Sequence, residues 1–147
     1  MIKIDYPPFQ PRLQRQPNQD LIFDEWRKKW VVLTPEEWVR QNFLQFLVQV
    51  KKYPATLIAI EKQVPVGELL QRFDIVVYNR NGIPWMLVEC KEMNVPITEA
   101  VLQQALRYQG KLQSKFITVT NGTTCFLFES TDGQLKITEN FPDFPIS

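Results

Sequence analysis

Along the chain the spacing of apolar residues switches between a helical and a two-residue period, and the switches mark the elements. The firmest helix opens at Thr34-Pro35-Glu36-Glu37. There a threonine N-cap, a proline at the first helical position and a glutamate three residues after the cap form a capping box. Val39, Phe43, Phe46, Leu47 and Val50 then recur at helical spacing and carry the helix to about Lys52. Ala55 to Ile60 reads as a buried strand, with Val64-Pro65-Val66-Gly67 as its irregular end. Gln71 to Tyr78 and Trp85 to Lys91 are two further strands, and the turn Asn79-Arg80-Asn81-Gly82 between them predicts a hairpin. After Pro96, the segment Thr98 to Gln113 is a second helix with Val101, Leu102, Ala105 and Leu112 on its apolar side. Strands follow at Lys115 to Thr120, Thr123 to Glu129 and Gln134 to Thr138, separated by Asn121-Gly122 and Thr131-Asp132-Gly133. Helix, three strands, helix and more strands predict an α/β fold, a mixed β-sheet flanked by helices.

The ends follow neither period. Prolines 7, 8, 11 and 17 predict an extended N-terminal arm over residues 1–20 that packs across the domain surface. Residues 139–147, with Phe141-Pro142-Asp143-Phe144-Pro145, predict an irregular tail. Phe23 to Leu33 is ambiguous between helix and strand, though Trp30-Val31-Val32-Leu33 favours a strand. At 147 residues the chain suits one domain, 1–147, able to bury its own core. It has no apolar run of the roughly 18 to 20 residues that a membrane span needs, and no signal-peptide-like apolar stretch at its start. Those features predict a cytoplasmic protein without a membrane partner.

Composition then narrows the chemistry. There is no histidine. Ser-His-Asp and Cys-His hydrolases, histidine-zinc sites and zinc deaminases each require an imidazole, so all are excluded. Cys90 and Cys125 sit in apolar runs and predict reduced core thiols. Seventeen basic against sixteen acidic residues do not make the charge footprint of a dedicated nucleic-acid binder, nor do they exclude a nuclease, whose metal site must itself be acidic.

Carboxylates and lysine remain, and three of them fall into a pattern. Asp74 stands mid-strand among Phe73, Ile75, Val76 and Val77, a costly position for a charge unless it is paired, solvated or holding a metal. Across the hairpin turn, Glu89 and Lys91 share one face of the next strand, because side chains alternate with period two. With adjacent strands about 4.8 Å apart and same-face residues about 7 Å apart, Asp74 and Glu89 could chelate one cation while Lys91 reaches an attacking water or a phosphate. A hard cation such as Mg²⁺ takes oxygen ligands and serves phosphodiester hydrolysis, and lysine adds positive charge to the same transition state. Glu36 lies seven residues before Phe43 and shares its inward face, whereas Glu37 is accounted for as the capping partner of Thr34. Gln104 and Tyr108 are four apart and stack on one helix face. Arg40 and Arg72 read as solvated surface or structural ion pairs rather than phosphate contacts. Glu61 either approaches the site or faces solvent. Tryptophans 26, 30, 38 and 85 read as core or interface anchors.

Asp74, Glu89-x-Lys91 and Gln104-x-x-x-Tyr108, preceded by a helix with Glu36, resemble the PD-(D/E)XK nuclease superfamily, with Phe73 where that name has proline. More narrowly, Pro35-Glu36-Glu37 with Val39-Arg40-Gln41, Arg72-x-Asp74, Val88-Glu89-Cys90-Lys91 and Thr120-Asn121-Gly122 resemble the N-terminal domain family of type I restriction R subunits. The resemblance covers about residues 30–130. It implies a restriction-endonuclease-like core of αβββαβ order and a DNA endonuclease dependent on Mg²⁺ or Mn²⁺. It further implies Asp74 and Glu89 as metal ligands, Lys91 as catalytic, Glu36 as an auxiliary acid, and Gln104 and Tyr108 as supporting residues. Such R subunits join this domain to an ATP-driven motor, whereas these residues contain no G-x-x-x-x-G-K-[ST] phosphate loop. A separate motor or specificity subunit is therefore an expected partner beside DNA. The alternative function is a non-catalytic nucleic-acid or protein-binding module on the same fold.

Overall fold

The computed structural model describes residues 1–146. A six-stranded sheet forms its centre, built from β4 (Ile58–Val66), β5 (Leu69–Tyr78), β6 (Pro84–Cys90), β7 (Phe116–Thr120), β8 (Cys125–Thr131) and β9 (Gln134–Thr138) in sequential spatial order. Every neighbouring pair is antiparallel except β6 and β7, which run parallel and are linked through α2 (Glu99–Leu106). A parallel pair needs such a crossover. The other helix, α1 (Pro35–Gln45), precedes β4, so the αβββαβ order expected from the sequence is the order observed.

Alternation along the strands makes two cores. Ile75, Val77, Met86, Val88, Cys90, Cys125 and Leu127 face α1, meeting Val39, Phe43, Leu44 and Leu47. Val76, Leu87, Ile117, Val119 and Phe128 face the other way, onto Ala105 and Tyr108. Both cysteines are buried free thiols, as expected, and burial pushes the Cys125 thiol up to about 12. Trp85 is a core residue as read, and Trp38 stacks on Phe9 with ring centroids 5.9 Å apart.

Several boundaries move. The first helix begins as predicted, but its final turn, Phe46–Val50, is π-helical. Residues 55–57 form a 3₁₀ turn, and the strand begins at Ile58 and runs through Pro65 to Val66. Pro65 is tolerated because β4 is an edge strand, where a missing N–H need not break a ladder. A tight turn at Gly67, whose φ is +62°, closes β4 onto β5 as a second hairpin. The third strand ends at Cys90, so Lys91 lies just beyond it. The second helix stops at Leu106, far short of Gln113.

The arm expected over residues 1–20 is only partly extended. Leu13–Arg15 (β1) pairs with Asp20–Asp24 (β2), which pairs with Lys29–Val32 (β3), giving a separate three-stranded antiparallel sheet before α1. Hairpin pairing overrides the local proline signal there, and it buries Ile22 fully. Residues 139–146 of the tail form neither helix nor strand, and Phe141 and Phe144 pack on the α1-side core.

One distortion positions the site. On β4, Ile60 packs with the α1-side core and Val64 with the α2-side core; on β5, Ile75 and Phe73 divide in the same way. Residues an even number apart should share a face, so the β4–β5 ribbon turns over between them. The turnover falls at Glu61 and Asp74, which are flanked by the pairs Ile60–Ile75 and Lys62–Phe73, and Glu61 takes a φ of +51°. Asp74 is thereby lifted out of the apolar layers.

Candidate active site

β5 and β6 stay paired only as far as Ile75 and Val88. The next residues outward are Asp74 and Glu89, side by side where the ladder opens. Instead of a strand partner, the Cys90 N–H donates to Asp74 Oδ2 at 2.7 Å, and the Lys91 N–H donates across to the Thr120 carbonyl at 2.8 Å. The end of β6 is thus pinned on both sides, with the Cys90 side chain in the core and Glu89 half-buried beside Asp74.

Charge and burial are in tension at this corner. Burial raises the Asp74 carboxyl above its ordinary value, and the Cys90 N–H, Arg40 and Lys91 only partly offset that. Burial likewise raises the Glu89 carboxyl, opposed by Lys91 and aided by the Asp74 charge. Two carboxyls that resist ionising are short of positive charge. The Lys91 ammonium acts on Asp74, Glu89 and Glu36 together, yet among the described residues it forms no ion pair of its own.

Glu36 is exposed in the first turn of α1, and its carboxyl is raised by partial burial and then by the Asp74 charge. It therefore borders the site. Glu37 is the buried one of the pair, and its side chain does not complete the capping box. Thr34 Oγ1 accepts from the Glu37 N–H at 3.0 Å, but the Glu37 carboxylate turns inward to accept from Arg27 Nη2 at 2.6 Å and from Gln41 Nε2 at 3.1 Å. The charge-assisted bond to the half-buried Arg27 guanidinium takes that carboxylate, and the Thr34 N–H donates instead to the Val32 carbonyl at 3.1 Å.

Gln104 lies on the exposed flank of α2 and, among the described residues, bonds to none of the three central side chains. Tyr108 falls beyond the helix end and is buried. Its ring meets Phe73 edge-on at 5.8 Å, and its hydroxyl accepts from Arg107 Nη2 at 2.8 Å. Tyr108 thus backs the residue that precedes Asp74.

Arg40 is the residue whose importance the sequence understates. Its side chain is 6% exposed, with Nη2 3.4 Å from Asp74 Oδ1 and Nη1 3.3 Å from Glu61 Oε1. Of the two readings the sequence allows, solvated surface or structural ion pair, Arg40 takes the second, and its partners are Asp74 and Glu61. The available signal was helical spacing: Arg40, Phe43, Leu44 and Leu47 lie on one inward stripe. Glu61 approaches the site, where Arg27 and Arg72 reach its Oε2 at 3.7 and 3.8 Å. Burial works to raise the Glu61 carboxyl, but Arg40, Arg27 and Arg72 together carry it below its ordinary value. Arg27 also grips the fully buried Asp24, tying the small sheet to this network.

The family model for the N terminus of the type I restriction enzyme R protein (HSDR_N) matches residues 35–145. The chain belongs to this family. The matched span contains the candidate site residues from Glu36 to Tyr108, while Asp24 and Arg27 precede it. Similar solved structures include a fragment assigned as the HsdR subunit of a type I restriction enzyme from Vibrio vulnificus YJ016, 23% identical, covering 71% of this chain and 23% of that one at a TM-score of 0.47. Another is a DUF820 protein from Anabaena variabilis ATCC 29413 assigned as a nuclease, 13% identical, covering 86% of this chain and 80% of that one at a TM-score of 0.48. No curated protein matches the chain. This R-protein N-terminal domain spans about a quarter of the length of the HsdR fragment. Among the described residues no helix is long and apolar enough to cross a membrane.

The oxygen donors of Asp74 and Glu89 suit a hard divalent cation. Among the described residues no three acidic or thiol side chains converge into a closed cage. Two carboxylates with open positions nevertheless suit Mg²⁺, which is held by one or two carboxylates and completes its shell with water and substrate phosphate.

Proposed function

We propose that this domain is a metal-dependent endodeoxyribonuclease of restriction type, hydrolysing DNA phosphodiester bonds at Asp74, Glu89 and Lys91. The observation that carries it is the pair of raised carboxyls, Asp74 and Glu89, at the point where β5 and β6 part, with Lys91, which forms no ion pair among the described residues, just past the strand end. A Mg²⁺ or Mn²⁺ ion seated on these two carboxylates would polarise the scissile phosphate and favour a hydroxide at neutral pH.

The chain's own groups do the rest. The Cys90 N–H and Arg40 fix the two oxygens of Asp74, so the carboxylate is oriented before substrate arrives. Lys91 presents a positive charge to the phosphate oxygens as they gain charge. Glu36, with its raised carboxyl, is the auxiliary acid that exchanges a proton at the rim as water adds across the P–O bond. Tyr108 supports Phe73 beneath, and Gln104, exposed on α2, is the second supporting residue, with a phosphate as its proposed contact. DNA is the substrate, and an ATP-driven motor or specificity subunit is the partner.

Calorimetric titration with Mn²⁺ tests the metal role. The wild-type chain should bind the ion and Asp74→Ala should not; unchanged affinity in that variant overturns the assignment. A second reading, a non-catalytic nucleic-acid or protein-binding module, gains support from the hold that Arg40 already has on Asp74. Metal-independent DNA binding without cleavage would select it.

A further inference from the structure

Asp74 has an acidic neighbour on each flanking strand. Glu89 stands beside it on β6, one step beyond the Ile75–Val88 pair, and Glu61 stands beside it on β4, between the pairs Ile60–Ile75 and Lys62–Phe73. Two carboxylate pairs therefore share one aspartate. In two-metal phosphodiesterases such an arrangement holds two ions roughly 3.5 to 4 Å apart.

The two pairs are occupied differently. Between Asp74 and Glu61 lies the Arg40 guanidinium, with separate nitrogens 3.4 and 3.3 Å from the two acids. More than nine-tenths of this side chain is buried, and among the described residues its Nε and Nη1 have no hydrogen-bond partner. What holds it there is the surrounding charge, including Glu37 at 3.7 Å. Glu61 is enclosed further by Arg27 and Arg72 on its other oxygen. Between Asp74 and Glu89, by contrast, no cationic side chain is paired among the described residues. Arginine stays protonated at any accessible pH, so titration does not empty the Arg40 position.

We infer that the site takes one divalent cation, seated on Asp74 and Glu89, because Arg40 fills the second seat between Asp74 and Glu61 as a built-in cation. The inference rests on the metal-dependent function proposed above. A mobile ion entering the second seat would meet a fixed positive charge with no water between them, which disfavours it strongly. Arg40 is then a positioning residue. It orients Asp74 Oδ1 and restricts the metal to the side of the aspartate that faces Lys91.

The test is the number of Mn²⁺ ions bound per full chain, measured by equilibrium dialysis with electron paramagnetic resonance of the free ion. Wild type should bind one. Arg40→Met, confirmed as folded by circular dichroism, should bind two, and adding Glu61→Gln to it should return the count to one. Because Arg40→Met leaves buried acids uncompensated, Glu61→Gln alone supplies an independent arm: with Arg40 in place, its count should stay at one. Two ions on the wild type, loss of binding in Glu61→Gln, or a folded Arg40→Met that still binds one would each overturn the inference while leaving a metal-dependent nuclease standing. No ion on the wild type would remove the metal-dependent function and this inference with it.

Discussion

Burial raises the carboxyls of both Asp74 and Glu89, so each ionised side chain weakens the fold it sits in. The unfolded chain releases the Glu89 proton near its ordinary value of about 4.3, and the folded chain holds it to higher pH. Between those values the native state binds more protons, so stability falls as pH rises through the window, and the penalty is complete above it. Glu89→Gln should therefore melt at or above the wild-type temperature at pH 7, with the advantage shrinking as the pH is lowered toward 4. Added Mn²⁺ should raise the wild-type melting temperature and leave that of Glu89→Gln unmoved, since only a bound ligand shifts the equilibrium. A variant that melts below wild type by the same margin at both pH values would contradict this. Asp74 and Glu89 stand out in the sequence because a strand interior does not otherwise accept a carboxylate, and Lys91 stands out by its spacing from Glu89. Arg40 and Glu61 were less so. Their significance depends on the β4–β5 ribbon turning over at Asp74, and nothing local at either position signals that.

At the scale of elements, local signals transferred well and long-range ones did not. The start of α1 was readable because capping chemistry is local: Thr34 Oγ1 accepts the Glu37 N–H as the motif requires. Thr34→Ala should cost about 1 kcal/mol, read as a lower urea midpoint, with Mn²⁺ affinity retained because the proposed ligands, Asp74 and Glu89, lie on β5 and β6. The hairpin at Asn79 was equally local, its side chain accepting from the N–H groups of Asn81 and Ile83. The end of α2 was not readable. Apolar Leu112 continues the helical pattern, yet the chain leaves the helix at Leu106 so that Tyr108 can reach Phe73 and Gly110 can adopt a φ of +80°. Tertiary packing overrides the periodic signal there.

Across the whole molecule, the parts outside the αβββαβ core act as clamps on it. The small sheet is fastened by Arg27, which spans Asp24, Glu37 and Glu61. The tail is fastened by Phe141 against Phe43 and Phe46, and by the Tyr53 hydroxyl donating to the Pro142 carbonyl at 2.6 Å. Irregularity was predicted for the tail and its packing was not, because a few aromatic residues among prolines give no period to read. Phe141→Ala should cost about 2 kcal/mol through lost apolar burial, seen as a lower melting temperature with Mn²⁺ affinity unchanged. Phosphodiester hydrolysis at the opened β5–β6 corner is the proposed function, and one comparison tests it most directly. Plasmid and single-stranded DNA are incubated with Mg²⁺ or Mn²⁺ and either the wild-type chain or Lys91→Ala, with the motor partner supplied in parallel reactions. The account predicts metal-dependent cleavage by the wild type that Lys91→Ala abolishes. Equal cleavage by both proteins, or none by the wild type under any of these conditions, would contradict it.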